Sequence, residues 1–185
     1  MPDKLKIVAI SGSLRAKSFN TSLLRAMRNI ADASMSIDIA RLNGIPVYDG
    51  DDEDASGVPQ IVTDLAERIR AADGVIIATP EYNFSIPGGL KNANDWISRV
   101  KDQPFGNKPV GVVGAAAGPL GTARSQYHLR QNLVGLSALT MSKPEVFVGS
   151  AHTKFAEDGS LADEETGKFL KLWLDAFDAW VRRGF

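Results

Sequence analysis

Short apolar segments alternate with segments of helical periodicity along nearly the whole chain. The apolar segments predict five strands, at Leu5–Ile10, Met35–Leu42, Gly74–Thr79, Pro109–Gly114 and Leu139–Val148. The segments between and after them predict helices near residues 20–32, 59–72, 87–100, 121–136 and 162–182. Strands that alternate with helices form a parallel sheet with helices on both faces. We therefore expect an α/β protein with a single domain over residues 1–185.

The number of strands narrows the expected topology. Five parallel strands favour the flavodoxin-like order 2-1-3-4-5, with the sheet as the middle layer of a three-layer sandwich. Ligands of such sheets bind beyond the carboxyl ends of the strands, at the point where the strand order reverses. The loops after the first, third and fourth strands are therefore the segments in which we expect a ligand site.

Three other segments carry only structural expectations. Residues 49–57 are acidic and polar but lack the turn glycine and terminal glutamate of an EF-hand, so we expect a solvated loop rather than a calcium site. Residues 149–162 are also expected to form a surface loop. In the last helix, one stripe at helical spacing is expected to pack into the core: Phe169, Leu172, Trp173, Ala176, Phe177 and Trp180.

The composition argues against several classes of protein. The net charge is −1 and the isoelectric point about 6.1, so the chain lacks the basic footprint of a nucleic-acid-binding protein. There is no cysteine, and the only histidines are His128 and His152, so neither thiol catalysis nor a metal site is expected. The sequence shows no signal peptide and no apolar stretch that could cross a bilayer. We expect a cytoplasmic protein without nucleic-acid partners or membrane insertion.

Several motifs of hydrolases and nucleotide-binding proteins are missing from the sequence. It contains no G-x-S-x-G elbow, no G-x-x-x-x-G-K-[ST] loop, and no G-x-G-x-x-G after the first strand. The absence of these motifs disfavours an α/β-hydrolase, a P-loop NTPase and a dinucleotide-binding domain. If the chain is an enzyme, a cofactor must supply the difficult chemistry.

The loop after the first strand is rich in hydrogen-bond donors and leads directly into a helix. A helix N-terminus presents unpaired N–H groups and the positive end of the helix dipole, which together suit a phosphate. The loop adds hydroxyls, an amide and one cation, from Ser11, Ser13, Ser18, Thr21, Asn20 and Arg15. We interpret it as a phosphate cradle for a mononucleotide, although an ordinary helix cap would use some of the same residue types.

The loops after the third and fourth strands could line a flat ring. Two prolines, Pro80 and Pro87, stiffen the first of these loops around two aromatic residues, although a surface turn whose aromatics pack on a neighbour is the alternative. No partner for the Glu81 carboxylate is evident from the sequence. The other loop, 114–122, contains small uncharged residues that allow a ligand close to the backbone. FMN fits this division, with its phosphate in the first loop and its ring between the other two.

Three motifs together resemble the NAD(P)H-dependent FMN reductase family. Gly12-Ser13-Leu14-Arg15, followed by Ser18 and Asn20, is similar to its phosphate signature. The segments 79–83, 87–93 and 95–96 resemble its flavin-ring loop and the helix that follows, and 123–130 resembles its fourth helix. The chain is most similar to the bacterial chromate and quinone reductase subgroup. It departs from many members in the third loop, where Ala116-Ala117-Gly118 replaces a serine followed by two glycines.

The resemblance implies a site and an activity. Ser13, Arg15, Ser18, Asn20 and Thr21 would hold the FMN phosphate. The isoalloxazine would lie against Pro80, Glu81, Tyr82, Asn83, Phe84 and Ser85, largely through their backbones, with Gly118 at its other edge. Hydride would pass from NAD(P)H through the flavin to quinones, with chromate or other metal oxyanions as further acceptors, and without a catalytic acid or base.

The resemblance also implies a homodimer or homotetramer. In similar proteins, the equivalents of four residues form a polar network between subunits: Tyr82, Arg124, Tyr127 and Glu145. The alternative for the charged members is that they are solvated.

Two other functions use the same FMN site. A flavodoxin-type electron carrier would bind FMN but accept no hydride, and a non-catalytic sensor would bind FMN without turnover. Carriers of this kind are usually strongly acidic, whereas this chain has a net charge of only −1. The charge therefore favours a reductase over a carrier.

Overall fold

The computed structural model describes residues 3–184 as a parallel sheet with helices on both faces. The strands are β1 (Leu5–Ser11), β2 (Met35–Arg41), β3 (Gly74–Ala78), β4 (Pro109–Ala115), β5 (Leu139–Thr140) and β6 (Val146–Val148). The helices are α1 (Phe19–Ile30), α2 (Gly50–Ser56), α3 (Gln60–Ala71), α4 (Gly88–Arg99), α5 (Ala123–Gly135) and α6 (Glu164–Val181). The strand order β2-β1-β3-β4-β5 confirms the flavodoxin-like prediction, and β6 pairs with β4.

The sheet separates two apolar cores. On one face α1 and α6 contribute side chains such as Leu24, Met27 and Trp173. On the other face α3, α4 and α5 contribute side chains such as Leu65 and Trp96. Every residue of β3 is buried, as expected for a strand that is covered on both faces. All strand pairs are parallel, so the carboxyl ends of β1, β3 and β4 meet at one edge of the sheet.

The predicted fifth strand is wrong as a continuous element. Thr140 pairs with Val110, and Val146 pairs with Val113. The chain therefore advances six residues from Thr140 to Val146 while β4 advances only three. The extra residues leave the sheet between β5 and β6. They include Pro144, which has no N–H to donate to a ladder.

The two predicted surface loops also need correction. Residues 50–56 form helix α2, because the Asp49 carboxylate accepts a hydrogen bond from the Asp51 N–H at 2.9 Å and acidic residues occupy the first turn. None of its residues is buried, so the expected solvation is confirmed. In the segment 149–162, Ala151–Thr153 form a single 3-10 turn, and Ala151 and Phe155 are buried in the core that contains α1 and α6.

The predicted apolar stripe of α6 is confirmed in part, because Ala176 and Trp180 pack against the core beside Trp173 and Phe177, while the buried face is rotated away from the other two predicted residues. Trp173 and Phe177 are fully buried as expected, but Phe169 is 41% exposed and Leu172 is 63% exposed. Leu170 and other residues on the same side take their place, so the buried set is Thr166, Leu170, Trp173, Leu174, Phe177 and Val181. Helical spacing alone admits both faces, since the helix is apolar over much of its circumference.

Within residues 3–184, no helix combines the length and the apolar composition that a membrane crossing needs.

Candidate functional site

Three loops meet at the carboxyl edge of the sheet, around a cavity of about 150 Å³. Five lining residues come from the β1–α1 segment, three from the loop after β3, and three from the end of β4 and the loop after it. The cavity lies where β1 has neighbours on both sides, β2 and β3, and the order of the strands reverses. This is the position that the sequence predicts for a ligand.

The first loop presents backbone donors that have no protein partner. Ser18 caps α1, since its hydroxyl accepts hydrogen bonds from the N–H groups of Asn20 at 3.2 Å and Thr21 at 3.4 Å. Several neighbouring N–H groups have no hydrogen-bond partner among residues 3–184: those of Ser13, Leu14, Ala16, Lys17 and Phe19. Such a set of donors at a helix N-terminus is an anion-binding arrangement.

Three of the predicted phosphate contacts have other partners in the structure. The buried hydroxyls of Ser11 and Thr21 lie 2.8 Å apart and bond to each other. The side-chain amide of Asn20 donates to the Ala115 carbonyl at 2.9 Å and accepts from the Ala115 N–H at 3.0 Å. Ser11 and Thr21 do not line the cavity, whereas Asn20 does. These side chains join the first loop to the rest of the site, and Ser13, Arg15 and Ser18 are left facing the cavity.

Two residues that the sequence analysis missed hold the outer side of the first loop. The Arg41 guanidinium donates to the carbonyls of Leu14 at 3.2 Å and Arg15 at 3.1 Å, and the Asn43 amide donates to the Leu14 carbonyl at 3.3 Å. In a trans peptide the N–H points away from the carbonyl, so the Ala16 N–H faces the side opposite Arg41. The sequence feature that could have identified Arg41 is its position at the end of the strand that pairs with β1.

The second loop closes in a tight turn. Tyr82 and Ser85 exchange backbone hydrogen bonds of 3.0 Å in both directions, and the φ angles of Asn83 and Phe84 are 49° and 67°. A left-handed conformation is unusual for phenylalanine, and two contacts restrain the turn. The Arg124 guanidinium lies 3.9 Å from the Phe84 ring centroid, and His128 Nδ1 lies 2.9 Å from the Ser85 hydroxyl. The N–H groups of Glu81, Asn83 and Phe84 have no partner among residues 3–184.

Glu81 has the partner that its sequence context did not reveal. Its carboxylate accepts hydrogen bonds from the backbone N–H groups of Arg124 at 3.1 Å and Ser125 at 3.2 Å, and from Arg124 Nε at 2.6 Å. Thr122, at the N-cap of α5, makes no side-chain cap bond, so Glu81 caps this helix from another loop. Its side chain is only 6% exposed, and Glu81 is one of the residues that line the cavity.

The third loop is held by the segment after β6. The Ala116 N–H donates to the Val148 carbonyl at 3.0 Å, and the Ser150 N–H donates to the Gly118 carbonyl at 3.1 Å. The N–H groups of Ala117 and Gly118 have no partner among residues 3–184. A side chain at Gly118 would meet no protein atom within 4 Å, but Gly118 itself does not line the cavity. The loop therefore offers backbone donors and a small apolar wall, as its sequence predicts.

The four residues of the predicted subunit network lie on one side of this site. Tyr82 and Tyr127 are exposed, and Arg124 pairs with Glu81. Glu145 accepts a hydrogen bond from the Lys143 ammonium at 2.7 Å, which lowers the pKa of Glu145 below its ordinary value. The nearby Tyr127 hydroxyl lowers this pKa further.

A larger cavity, of about 500 Å³, lies between the second half of α1 and the segment that leads into α6. None of its lining residues belongs to the three loops. We assign the site to the smaller cavity, because each of the three loops lines it with at least one residue whose N–H is unpaired, among them Ser13, Glu81 and Ala117. Within residues 3–184, no three His, Cys, Asp or Glu side chains are grouped so as to hold a metal ion.

The arrangement has the chemistry of a site for a phosphorylated, planar ligand. Arg15, the Ser13 and Ser18 hydroxyls and the unpaired N–H groups of the first loop match the charge and acceptors of a phosphate. The second and third loops offer N–H groups, an aromatic side chain at Tyr82 and a small apolar wall, which suit the edges and faces of a ring. The residues present therefore fit FMN.

Comparisons with known proteins agree with this geometry. Residues 5–153 match the family of NADPH-dependent FMN reductases. The chain is 46% identical to an NAD(P)H-dependent FMN reductase of Pseudomonas aeruginosa over 183 residues, which cover 99% of this chain and 98% of that protein. It is 46% identical to a quinone reductase of Escherichia coli over 185 residues, with the same coverage. A solved structure of the flavoenzyme FerB, an NAD(P)H:(acceptor) oxidoreductase of Paracoccus denitrificans, superposes with a TM-score of 0.87 at 34% identity, over 97% of this chain and 98% of that one.

The family match and the identity over almost the full length of both relatives confirm the resemblance seen in the sequence motifs. The chain belongs to the NADPH-dependent FMN reductase family, whose members use FMN with NAD(P)H as the electron donor.

Proposed function

We propose that the protein passes reducing equivalents from NAD(P)H through bound FMN to quinones. The observation that supports this most strongly is that three loops line one cavity and that each contributes a lining residue with an unpaired N–H. In this proposal Ser13, Arg15, Ser18 and the N–H groups of the first loop hold the phosphate. The backbone of 80–85 and the N–H groups of Ala117 and Gly118 hold the ring.

The protein's part is to bind, orient and shield the cofactor. Bound FMN supplies the hydride chemistry. The Ala115–Ala117 segment forms an apolar wall that excludes water from one side of the cavity. The Glu81 carboxylate is occupied by α5 and Arg124, so it is not free to act as a base. Fixed N–H dipoles around the ring supply the electrostatic stabilisation that a reaction without an acid or base requires.

The choice of quinones as acceptors rests on similarity. The Escherichia coli relative at 46% identity is named a quinone reductase. Chromate and other metal oxyanions, which the subgroup resemblance also implied, stay a prediction. A cytoplasmic location belongs to the same proposal, because the cytoplasm supplies NAD(P)H.

Anaerobic steady-state kinetics test the proposal. We expect the FMN-loaded protein to oxidise NADPH or NADH when 1,4-benzoquinone is added, with parallel lines in double-reciprocal plots, because donor and acceptor use the same face of the flavin in turn. An electron carrier would show no nicotinamide oxidation with any quinone, and this outcome would refute the proposal.

Replacing Arg15 with glutamine is expected to weaken FMN binding about 10–100-fold, because one charge-assisted bond to a phosphate contributes roughly 1.5–3 kcal/mol. Arg15 is exposed, so the free energy of unfolding should change by less than about 0.5 kcal/mol. Fluorescence titration of the apoprotein with FMN measures the affinity. Lys17→Gln is the matched control, since Lys17 is an exposed neighbour that does not line the cavity. Equal losses in the two variants would indicate a general effect of charge rather than a direct contact.

We further propose that the protein is a dimer or tetramer joined near this site. The second and third loops and α5 expose four aromatic and aliphatic side chains, and exposed apolar groups of this kind favour association: Tyr82, Phe84, Leu120 and Tyr127. Arg124→Ala is expected to shift the protein to a smaller species in size-exclusion chromatography with light scattering. Arg68→Ala, which removes an exposed ion pair with Asp38 between α3 and β2, is the control. An unchanged oligomer in Arg124→Ala would argue against the network.

A further inference from the structure

A pair of opposite charges lies in the wall of the proposed ring site. Glu81 lines the 150 Å³ cavity, and together with Arg124, Asn83 and Phe84 it also lines an adjoining cavity of about 350 Å³. The Glu81 side chain is 6% exposed and the Arg124 side chain is 45% exposed. The guanidinium contacts Glu81 through Nε and through a second nitrogen, so the two charges are held in a fixed geometry.

The same carboxylate fixes the backbone of the ring loop. It is bound by two N–H groups at the start of α5, which ties residue 81 to that helix. The preceding residue is tied as well, because the Ser125 hydroxyl donates to the Pro80 carbonyl at 2.9 Å and lies 2.9 Å from the Thr79 hydroxyl. Residues 79–81 are therefore attached to α5 through the Glu81 and Ser125 side chains.

The Glu81 carboxylate is poorly solvated and the Arg124 guanidinium is held against it, so both charges act on a neighbouring ring. Reduction adds electrons to the flavin, so an unbalanced positive charge nearby favours the reduced form and an unbalanced negative charge favours the oxidised form. In the intact pair these two effects oppose each other.

We propose that Glu81 is a positioning residue for the flavin-ring loop, and that its ion pair with Arg124 sets the reduction potential of the bound flavin by balancing the charge beside the ring. This inference rests on the proposed FMN site. It adds a role for the Glu81 side chain, which the sequence resemblance assigned only a backbone contact.

The test compares the reduction potentials of four FMN-loaded proteins: wild type, Glu81→Gln, Arg124→Gln and the double variant. Potentials are measured against a reference dye during slow enzymatic reduction by xanthine and xanthine oxidase. We expect Glu81→Gln to raise the potential and Arg124→Gln to lower it. Each shift should correspond to about a tenfold change in the preference for reduced over oxidised flavin, or about 30 mV for a two-electron couple. The double variant should return to within about threefold of the wild type, because both charges are gone.

Two further variants separate charge from structure. Arg124→Lys keeps the positive charge and should restore the wild-type potential, even though it loses the forked contact. Arg68→Gln removes an ion pair on another side of the molecule and should leave the potential unchanged. The oligomeric state of each variant is recorded by size exclusion, so that a change in assembly is not mistaken for an effect of charge.

Single variants that shift the potential in the same direction, or by less than about threefold, would overturn the proposal, since a purely structural role has no reason to depend on the sign of the charge. If Glu81→Gln does not fold, Arg124→Gln and Arg124→Lys decide the question between them. The dye method needs no nicotinamide, so the reduction potentials can be compared even if NAD(P)H does not reduce the wild-type protein. That failure would contradict the proposed function but not the role of the ion pair. A wild type that binds no FMN would overturn both.

Discussion

Replacing Asn20 with alanine is expected to lower the free energy of unfolding by about 2–4 kcal/mol, because it leaves two buried backbone groups of Ala115 without a partner. The same change should weaken FMN binding by at least about 100-fold, since the first and third loops lose the contact that sets their relative position. Chemical denaturation measures the first effect, and FMN titration of the folded apoprotein measures the second.

Two variants control for this result. Asn29→Ala alters an exposed asparagine of the same helix and should change stability by less than about 0.5 kcal/mol. Asn20→Asp keeps an acceptor for the Ala115 N–H but places a carboxylate against the Ala115 carbonyl and beside the phosphate site, so it should bind FMN at least as poorly as alanine. Wild-type FMN affinity in Asn20→Ala would contradict the assignment of this side chain as the link between the loops.

Replacing Trp173 with alanine is expected to cost about 3–5 kcal/mol of stability, because it empties a fully buried site. The indole stacks on Phe177 with ring centroids 5.2 Å apart and packs against Gly111 of β4, where an added Cβ would lie 2.4 Å from the ring. Trp173 does not line the cavity between the three loops, so FMN affinity measured well below the melting temperature should stay within about threefold of the wild type.

Leu172→Ala is the matched control for this prediction, because Leu172 is the adjacent α6 residue and is largely exposed. Its expected effect is within about 0.5 kcal/mol. Similar losses in the two variants would mean that the apolar stripe predicted from the sequence, and not the face described above, packs into the core.

The general fold and the three loops were predictable because they depend on local patterns. The apolar runs of β1, β3 and β4 and the cap of α1 are each encoded within a few neighbouring residues, and parallel topology then places their ends at one edge. Two residues of the predicted α6 stripe were wrong, because Phe169 and Leu172 have the same spacing and character as buried residues, and only the tertiary fold selects the face.

The supporting contacts of the site could not be predicted in the same way. Asn20 bonds to Ala115, which is 95 positions away, and Glu81 bonds to Arg124, which is 43 positions away. Ser11 and Thr21 were expected to contact phosphate, but their hydroxyls bond to each other. A polar side chain in a loop can form hydrogen bonds with a ligand or with another part of the protein. The sequence alone does not show which of these partners lies close enough.

The visible spectrum of the FMN-loaded protein tests the central claim most directly. Spectra are recorded before and after anaerobic addition of NADPH, and in a parallel sample NADH, and again after a quinone is added. We predict a yellow protein that bleaches rapidly with at least one of the two nucleotides and regains its colour with the quinone. A protein that retains FMN but bleaches only with dithionite would contradict the proposed reductase, and a protein that binds no FMN would contradict the assignment of all three loops.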